Sequence, residues 1–242
     1  MKGTGKMKII LDLCNQHFGS LDELKRMSLS AFQGGADAVK VQLMDSERLL
    51  GVTNKKYRDV SYQDAYSLSK YCDDIGIEFM ASVFDSDRFE WLDDLGVKTH
   101  KIASRTSKHD HALCETILSD GKPTIISTGM HEFAEFPFEE SEQIEYLFCV
   151  SRYPTYLDDE KLAKMPYFKR PGYTGYSDHT IGIAAALRAH SRGATILEKH
   201  YSNNIFSQTR MEGGHLGSFD QNSLRQFVNI VKQFEIMENS VE

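Results

Sequence analysis

Short apolar runs alternate with helical patterns eight times along this chain, and this alternation limits the folds that it can adopt. Two strands joined by one crossover helix lie parallel, and eight such units close into a barrel of about 250 residues. The chain has 242 residues. We therefore predict an α/β protein in which residues 1–242 form one domain, a (β/α)₈ TIM barrel. The alternative, an open doubly wound sheet, would need fewer strands and a topological switch point that the sequence does not reveal.

The strands and helices follow from the positions of apolar residues and glycines. Gly76, Gly96 and Gly121, for example, each follow a helical pattern, where a glycine commonly ends a helix. The predicted strands are Lys8–Leu13, Ala38–Leu43, Glu78–Ser82, Thr99–Ala103, Thr124–Ser127, Glu145–Val150, Gly172–Ser177 and Thr195–Glu198. The predicted helices are Ser20–Gln33, Tyr62–Asp74, Ser86–Leu95, His109–Ser119, Phe133–Glu142, Leu157–Lys164, Ile181–Arg192 and about Ser218–Ile236.

Two histidines follow two consecutive predicted strands. His179 lies in the segment Gly175-Tyr-Ser-Asp-His-Thr180, and His200 ends Glu198-Lys-His200 after one alanine-rich helix. Consecutive parallel strands are usually neighbours, so their ends open at the same edge of the sheet. We therefore expect both imidazoles to reach one metal ion or one substrate, and the alternative is two unrelated histidines.

The histidine pair is suited to binding a divalent cation. Two neutral imidazoles, a carboxylate and an open position suit Mn²⁺, Zn²⁺ or Fe²⁺. Asp178 or Glu198 could orient the imidazoles by accepting a hydrogen bond from the ring nitrogen that does not bind the metal. Histidine also titrates near neutral pH, so the alternative is a role as general base without a metal.

Polar residues stand at every predicted strand end, whereas the strand interiors are apolar. In a parallel barrel these ends carry the active site. Lys40 lies inside the apolar run Ala38–Val41, where burying a charge costs free energy unless the charge is paired or binds a ligand. Lys101 likewise lies in a predicted strand. The two lysines, with several serines and Gly129, predict a pocket for phosphate or carboxylate. The alternative for Lys40 is a structural ion pair with an aspartate or a glutamate.

The charge balance and the cysteines narrow the class of protein. A net charge of −7 argues against a nucleic-acid or anionic-membrane surface, although a local cluster of lysines could still bind a small anion. The N-terminus lacks the apolar segment of a signal peptide, and no run approaches the roughly 18 apolar residues of a membrane span. Cys14, Cys72, Cys114 and Cys149 are far apart with no C-x-x-C spacing, so we expect reduced, mostly buried thiols in a cytoplasmic protein.

Separate motifs extend over almost the whole chain. They are Lys101-Ile-Ala-Ser104, Gly121-Lys-Pro with Ile126-Ser-Thr-Gly-Met130, Tyr153-Pro-Thr155, and Gly175-Tyr-Ser-Asp-His-Thr-Ile-Gly-Ile-Ala184 leading into Glu198-Lys-His200. Together they resemble the N-acetylneuraminate (sialic acid) synthase family, whose enzymes condense phosphoenolpyruvate with an N-acylated amino sugar. The last pair of motifs is the specific part of the resemblance.

The resemblance implies roles for the strand-end residues. His179 and His200 would bind a divalent metal, most often Mn²⁺, with Mg²⁺ or Co²⁺ as alternatives. That ion would polarise the aldehyde of the open-chain sugar, while lysines stabilise the anionic groups of phosphoenolpyruvate. The predicted catalytic residues are Asp12, Lys40, Lys101, His179 and His200. The predicted substrate-binding residues are Lys40, Gln42, Ser82, Lys101, Ser104, Ser127, Ser151, Tyr153 and Ser177, of which Tyr153 would line the sugar side.

The chain departs from the family pattern at acid–base positions and on the sugar side. Thr106 stands in place of a glutamate, Gly214 in place of an aspartate, and Ser151 in place of an asparagine. The first motif reads Asp12-Leu-Cys-Asn-Gln-His17, where Glu-Ile-Gly-x-Asn-His is usual. The chain also ends soon after its last predicted helix, so we expect the family's C-terminal antifreeze-like domain to be absent.

The predicted phosphoenolpyruvate and metal positions are retained, so our hypothesis is an acceptor aldehyde other than N-acetylmannosamine. Two alternatives are open. One is a lyase or aldolase that uses Lys40 or Lys101 as a Schiff-base amine. The other is a catalytically degenerate barrel that binds a phosphorylated ligand in a regulatory or scaffold role. The sequence names neither the acceptor sugar nor the metal, and it leaves open whether the chain forms a homodimer.

Overall fold

A computed structural model describes residues 6–51, 53, 58–204 and 216–239 of the chain. Within these residues eight parallel strands form a closed barrel, in which each strand pairs with the next in sequence and the last pairs with the first. The predicted (β/α)₈ barrel is confirmed. The strands are β1 Lys8–Asp12, β2 Ala38–Leu43, β3 Glu78–Val83, β4 His100–Ile102, β5 Thr124–Ser127, β6 Ile144–Cys149, β7 Tyr173–Asp178 and β8 Ile196–His200.

Helices connect most of the strands. In the described part of the chain they are α1 Leu21–Gly34, α2 Ser46–Leu50, α3 Tyr62–Ile75, α4 Ser86–Phe89, α5 Ser104–His109, α6 His111–Ser119, α7 Glu160–Ala163, α8 Ala184–Ser191 and α9 Gln221–Asn239. None of these described helices combines the length and the apolar character needed to cross a membrane. Helix α1 begins where the Oγ of Ser20 accepts a hydrogen bond from the N–H of Glu23 at 3.2 Å. Its buried side chains recur at helical spacing and include Leu24, Met27, Ser28 and Ala31.

The predicted helix at Phe133–Glu142 is wrong, because this segment forms turns and bends. Pro137 has no backbone N–H, and its ring disfavours a helical conformation in the residue before it. Phe136 packs against Tyr146 and Tyr173, with ring centroids 4.7 and 5.0 Å apart. The aromatic side chains of this segment therefore cover β6 and β7 without forming a helix.

Several other helices differ from their predicted bounds. The prediction Ser86–Leu95 forms only α4, and the prediction Leu157–Lys164 forms only α7. The short helices α2 and α5 have no counterpart among the predictions. Helix α5 begins at Ser104, directly after β4, so this strand end is also a helix start.

Side chains alternate between the inside and the outside of the barrel, and this alternation positions the site. One apolar layer fills the inside. A Cβ at Gly175 would lie 2.7 Å from side-chain atoms of Leu147 and Ile196, so glycine is needed between them. Two positions after each residue of the layer, the strand carries a polar or thiol side chain at its C-terminal end. The layer is Ile10, Ala38, Met80, Ile125, Leu147 and Ile196. The residues two positions on are Asp12, Lys40, Ser82, Ser127, Cys149 and Glu198.

Candidate active site

A cavity of about 340 Å³ opens at the C-terminal ends of the strands. Ser82 is the one predicted site residue that does not line it; the Oγ of Ser82 instead accepts a hydrogen bond from Lys40 Nζ at 3.2 Å. The barrel therefore brings the predicted site residues together. Those that line the cavity are Asp12, Lys40, Gln42, Lys101, Ser104, Ser127, Ser151, Tyr153, Ser177, His179 and His200.

Lys40 forms a buried ion pair with Asp12. Its Nζ donates to Asp12 Oδ2 at 2.6 Å, and the Nε2 of Gln42 donates to the same oxygen at 3.0 Å. Burial alone would lower the pKa of Lys40, but the charges of Asp12 and Glu198 outweigh burial and raise that pKa. Burial alone would raise the pKa of Asp12, yet Lys40 holds it below its ordinary value. The ion pair considered for Lys40 is thus present, and it also lines the cavity.

Glu198 is the centre of a second buried network. Its Oε2 accepts hydrogen bonds from Ser177 Oγ at 2.9 Å and from Ser127 Oγ at 3.4 Å. Lys101 Nζ lies 3.4 Å from the same oxygen, and Lys40 Nζ lies 3.5 Å from Oε1. Burial would raise the pKa of Glu198, but the two lysines outweigh burial and lower it; at Lys101 burial dominates and lowers the pKa. Two lysines therefore share one carboxylate.

The carboxylates predicted to orient the imidazoles have other partners. Glu198 contacts the lysines and serines just described. Asp178 follows the inward-facing Ser177 by one residue and so faces the outside of the barrel, where its Oδ2 accepts a hydrogen bond from Lys199 Nζ at 2.7 Å. The pair Asp178–Lys199 is fully buried there. The described hydrogen bonds of these two carboxylates therefore go to groups other than the imidazoles.

The two predicted histidines converge. The rings of His179 and His200 are stacked, with centroids 5.3 Å apart and planes inclined by 26°. The Nδ1 of His179 lies 2.8 Å from the carbonyl oxygen of Val150. Because a carbonyl can only accept, Nδ1 carries a proton, and in the neutral ring Nε2 then keeps the lone pair with which an imidazole binds a metal. The half-exposed ring of Tyr153 lies 4.2 Å from the ring of His179.

A divalent cation fits the residues around His200. Asp12, Cys14 and His200 each offer one ligand atom, and the three atoms lie within 4.8 Å of one another. All three side chains are buried. Carboxylate, thiolate and imidazole are typical ligands of divalent transition metals. Burial, and then the charge of Asp12, raise the pKa of the Cys14 thiol.

Sequence reasoning missed several lining residues, among them Cys14, Cys149 and Arg58. All four cysteines are reduced and buried, as predicted. A buried thiol in a cavity, however, has the same sequence pattern as one in a core. Arg58 lies away from any strand end, so the strand-end rule could not find it. With Lys40, Lys101 and Arg105 it gives the described lining of the cavity four basic side chains against two carboxylates, an excess of two positive charges in a chain whose net charge is −7.

The strand ends of β5 and β6 approach each other closely at Gly129. A Cβ there would lie 2.7 Å from Cys149 Sγ, so a larger residue would displace the lining of the cavity. The N–H of Gly129 donates to Ser104 Oγ at 2.9 Å. Thr106, at the position where the resemblance implies a glutamate, is buried in α5 and does not line the cavity. The corresponding departure at Gly214 lies outside the described residues.

His17 makes the stability of the fold depend on pH. Its Nδ1 accepts a hydrogen bond from the N–H of Gly19 at 3.0 Å, and burial lowers its pKa from 6.5 to about 4. The unfolded chain therefore binds more protons between these values, so stability is lost as the pH falls below 6.5. From pH 7 to pH 5 we expect the protein to lose about 2 kcal/mol of unfolding free energy through His17, as measured by urea unfolding.

His17→Gln retains an acceptor for the Gly19 N–H and removes the titrating ring, so it should lose less stability over this range. His111→Gln is the matched control, because His111 is an exposed histidine on α6. Its unfolding free energy should fall from pH 7 to pH 5 by the same amount as that of the unmodified protein. An equal loss of stability in the unmodified protein and in His17→Gln would contradict the prediction.

Comparisons with known proteins agree with this fold. The model of the NeuB family matches residues 28–242. An N,N'-diacetyllegionaminic acid synthase of Legionella pneumophila is 30% identical, over 97% of this chain and 74% of that protein. An uncharacterised protein of Methanocaldococcus jannaschii is 32% identical, over 93% of this chain and 70% of that protein. The N-acetylneuraminic acid synthetase of Leptospira borgpetersenii, solved in complex with citrate, has the same fold with a TM-score of 0.82 at 24% identity, covering 97% of this chain and 85% of that one.

Proposed function

The chain belongs to the NeuB family, and from this membership we propose that it condenses phosphoenolpyruvate with an aldose or an N-acylated amino sugar. The products would be a 3-deoxy-2-keto acid of the nonulosonic type and phosphate. The chain is thus a sialic acid synthase-like enzyme, a transferase that forms a carbon–carbon bond. The observation that carries the proposal is that two buried lysines and two stacked imidazoles share one cavity.

The anionic groups of phosphoenolpyruvate would bind where the basic side chains converge. Among the lining residues that the structure describes, four basic side chains against two carboxylates leave this part of the cavity positive. Fixed charges in a site with little water stabilise negative charge more strongly than they would in bulk water. Lys101 is held in place by Ser127 Oγ at 2.9 Å and by the carbonyl oxygen of Ile102 at 3.0 Å. The hydroxyls of Ser104, Ser127 and Ser177 offer further hydrogen bonds to phosphate or carboxylate oxygens.

His179 and His200 would hold the divalent cation, with Asp12 beside them. Asp12 Oδ2 lies 3.8 Å from His200 Nδ1. Mn²⁺ is the ion that we propose first, with Mg²⁺ and Co²⁺ as alternatives. When bound, such an ion supplies Lewis-acid polarisation of the aldehyde oxygen. The protein contributes the orientation of His179 through Val150 and the ionised state of Asp12 through Lys40.

The condensation needs one nucleophilic attack and one addition of water. Carbon 3 of phosphoenolpyruvate would attack the aldehyde carbon, and the aldehyde oxygen would take up a proton. Water would add to carbon 2, and phosphate would leave when the bond between carbon 2 and the bridging oxygen breaks. Asp12 is ionised because Lys40 lowers its pKa, and its negative charge would stabilise positive charge that develops at carbon 2, while the proton of this water would pass to the aldehyde oxygen. Lys40 and Lys101 would stabilise the charge of the departing phosphate.

The acceptor that we propose is an aldehyde other than N-acetylmannosamine. The lysine and histidine positions of the family pattern are retained, whereas the changed residues include Ser151, which lines the same cavity next to the half-exposed Tyr153. Arg105 is exposed on α5 and also lines the cavity. A different set of polar groups at the open side of the cavity would select a different sugar.

Phosphate release from phosphoenolpyruvate tests the proposal, with Mn²⁺ present and a panel of acylated amino sugars and simple aldoses as acceptors. We expect one acceptor to give a product whose mass equals acceptor plus phosphoenolpyruvate plus water, less phosphoric acid. N-acetylmannosamine as the best acceptor would overturn the proposed difference in acceptor. Binding of phosphoenolpyruvate without turnover of any aldehyde would favour the degenerate barrel. Trapping of pyruvate by borohydride on Lys40 or Lys101 would favour a Schiff-base lyase.

A further inference from the structure

Cys14 lies beside Asp12 and His200 and offers a sulfur ligand, which the proposed function does not use. Asp12, Cys14 and His200 each present one ligand atom, and these atoms lie within 4.8 Å of one another. All three side chains are buried, so a cation held between them would be screened little by water. The cluster therefore offers a more complete set of metal ligands than the two histidines alone.

The backbone at Cys14 suits glycine better than cysteine. Its φ angle is 40°, in the left-handed region that costs free energy for a residue with a Cβ. The family that the chain resembles has glycine at this position of the first motif. Cys14 thus occupies a strained backbone position and adds a thiol there, and its Sγ donates to Asn15 Oδ1 at 3.2 Å. A conformational outlier retained inside a site points to a function of its side chain.

The neighbouring departure, Asp12 in place of glutamate, belongs to the same cluster. Asp12 Oδ1 accepts the backbone N–H of Cys14 at 2.8 Å, which holds the two residues together. Asp12 Oδ2 accepts hydrogen bonds from Lys40 and Gln42. An ionised carboxylate has about four lone-pair positions, so one is left for a cation. Two departures from one family motif therefore lie side by side at one set of ligands.

We propose that Cys14 joins Asp12 and His200 as a ligand of the proposed cation, and that its sulfur makes this site prefer a thiophilic divalent cation, such as Zn²⁺ or Fe²⁺, over the Mn²⁺ or Mg²⁺ that the family resemblance alone implies. Thiolate sulfur favours such ions, whereas carboxylate and carbonyl oxygens suit Mn²⁺ and Mg²⁺. On binding, the Cys14 thiol releases its proton to solvent and its sulfur donates a lone pair to the cation. The inference deepens the proposed function and rests on its requirement for a divalent cation in this cavity.

Cobalt absorption spectroscopy tests the inference on the 242-residue protein loaded with Co²⁺ in the absence of substrate. We expect a thiolate-to-cobalt charge-transfer band in the near ultraviolet. Cys14→Gly should lack this band, and its backbone conformation favours glycine, so the variant should fold. We also expect Cys14→Gly to lower the affinity for Zn²⁺ by at least about 10–100-fold. Loss of a residue that hydrogen-bonds to a metal ligand typically costs this much, and loss of the ligand itself should cost at least as much. The affinity of Cys14→Gly for Mn²⁺ should change little.

Two other cysteines serve as controls. Cys149 lines the same cavity, with its Sγ 3.8 Å from His179 Nδ1, and Cys114 is buried in α6 outside the cavity. Cys149→Ser and Cys114→Ser should both keep the charge-transfer band. A band that persists in Cys14→Gly, a band lost in Cys149→Ser, or cobalt bound with no thiolate band would each overturn the inference.

Failure of this inference is distinguishable from failure of the proposed function. Condensation supported by Mn²⁺ in a protein without a thiolate band would overturn the role of Cys14 and leave the proposed function standing. A thiolate band that depends on Cys14, in a protein that condenses no aldehyde, would support the metal site and count against the proposed function.

Discussion

Replacing Lys101 by methionine is expected to lower kcat/KM for phosphoenolpyruvate by about 10²- to 10³-fold. The ammonium group of Lys101 is buried, bonded to Ser127 and close to Glu198, so it is a fixed positive charge in the anion-binding part of the cavity. Removing one such preorganised group from a site with little water typically costs about 10²–10³ in rate. Methionine has a similar length and no charge. Steady-state phosphate release with the best acceptor measures the change.

The same substitution should also destabilise the protein, and a double variant separates the two effects. Lys101→Met leaves Glu198 buried with only one neighbouring lysine, and breaking a buried ion pair costs about 3–5 kcal/mol. Lys101→Met combined with Glu198→Gln removes both charges, so much of the unfolding free energy should return while the rate stays low. Recovery of the rate along with the stability would mean that Lys101 only supports the fold.

Lys199 provides a matched control for the loss of a buried lysine. It pairs with Asp178 on the outer side of the barrel, away from the cavity, and its Nζ also donates to the carbonyl oxygen of Thr180. Lys199→Met should lower the free energy of unfolding much as Lys101→Met does. The folded fraction should nevertheless keep nearly all of its kcat/KM. A loss of rate as large as that of Lys101→Met would contradict the assignment of the anion-binding part to the inner lysines.

The barrel and the composition of its polar end could be predicted because both follow from short-range periodicity. Apolar runs gave the strands, and a period of two placed Lys40 and Gln42 on one face. The same period places Glu198 and His200 on the inside and Asp178 on the outside, where Asp178 pairs with Lys199. The predicted helix at Phe133–Glu142 is wrong because Pro137, which opposes a helix, lies in the middle of this segment.

The partners within the site could not be predicted, because they depend on closure of the barrel. Ser127 and Glu198 are 71 residues apart in sequence and share a hydrogen bond only because β5 and β8 face each other across the inside. The residue type of Cys14 or of Arg58 is no signal by itself, since a thiol or an arginine that lines a cavity looks like any other in the sequence. The sequence gives one signal for Cys14, its position at a glycine of the family motif. A metal-binding role follows from that signal only when the structure places Cys14 close to His200.

Replacing His200 by alanine is expected to remove most of the bound divalent metal and to lower the condensation rate by roughly 10³-fold or more, since metal-ion polarisation of a carbonyl contributes several kcal/mol. His200 is the residue shared by the stacked imidazole pair and the cluster with Asp12 and Cys14. His179→Ala should lower the rate similarly, because it removes the Nε2 lone pair that Val150 orients. Metal content by mass spectrometry and phosphate release with the best acceptor measure both effects.

Treatment of the unmodified protein with a chelator should reproduce the loss, and addition of a divalent cation should restore the rate, whereas the two alanine variants should not recover at the same concentration. His190→Gln is the matched control, because His190 is buried outside the cavity and its ring stacks on Phe234 with centroids 5.8 Å apart. It should retain both metal and rate. A chelated protein that keeps its full rate would show that the imidazoles act without a cation, as general acid or base, and that the carbonyl is polarised by the protein alone.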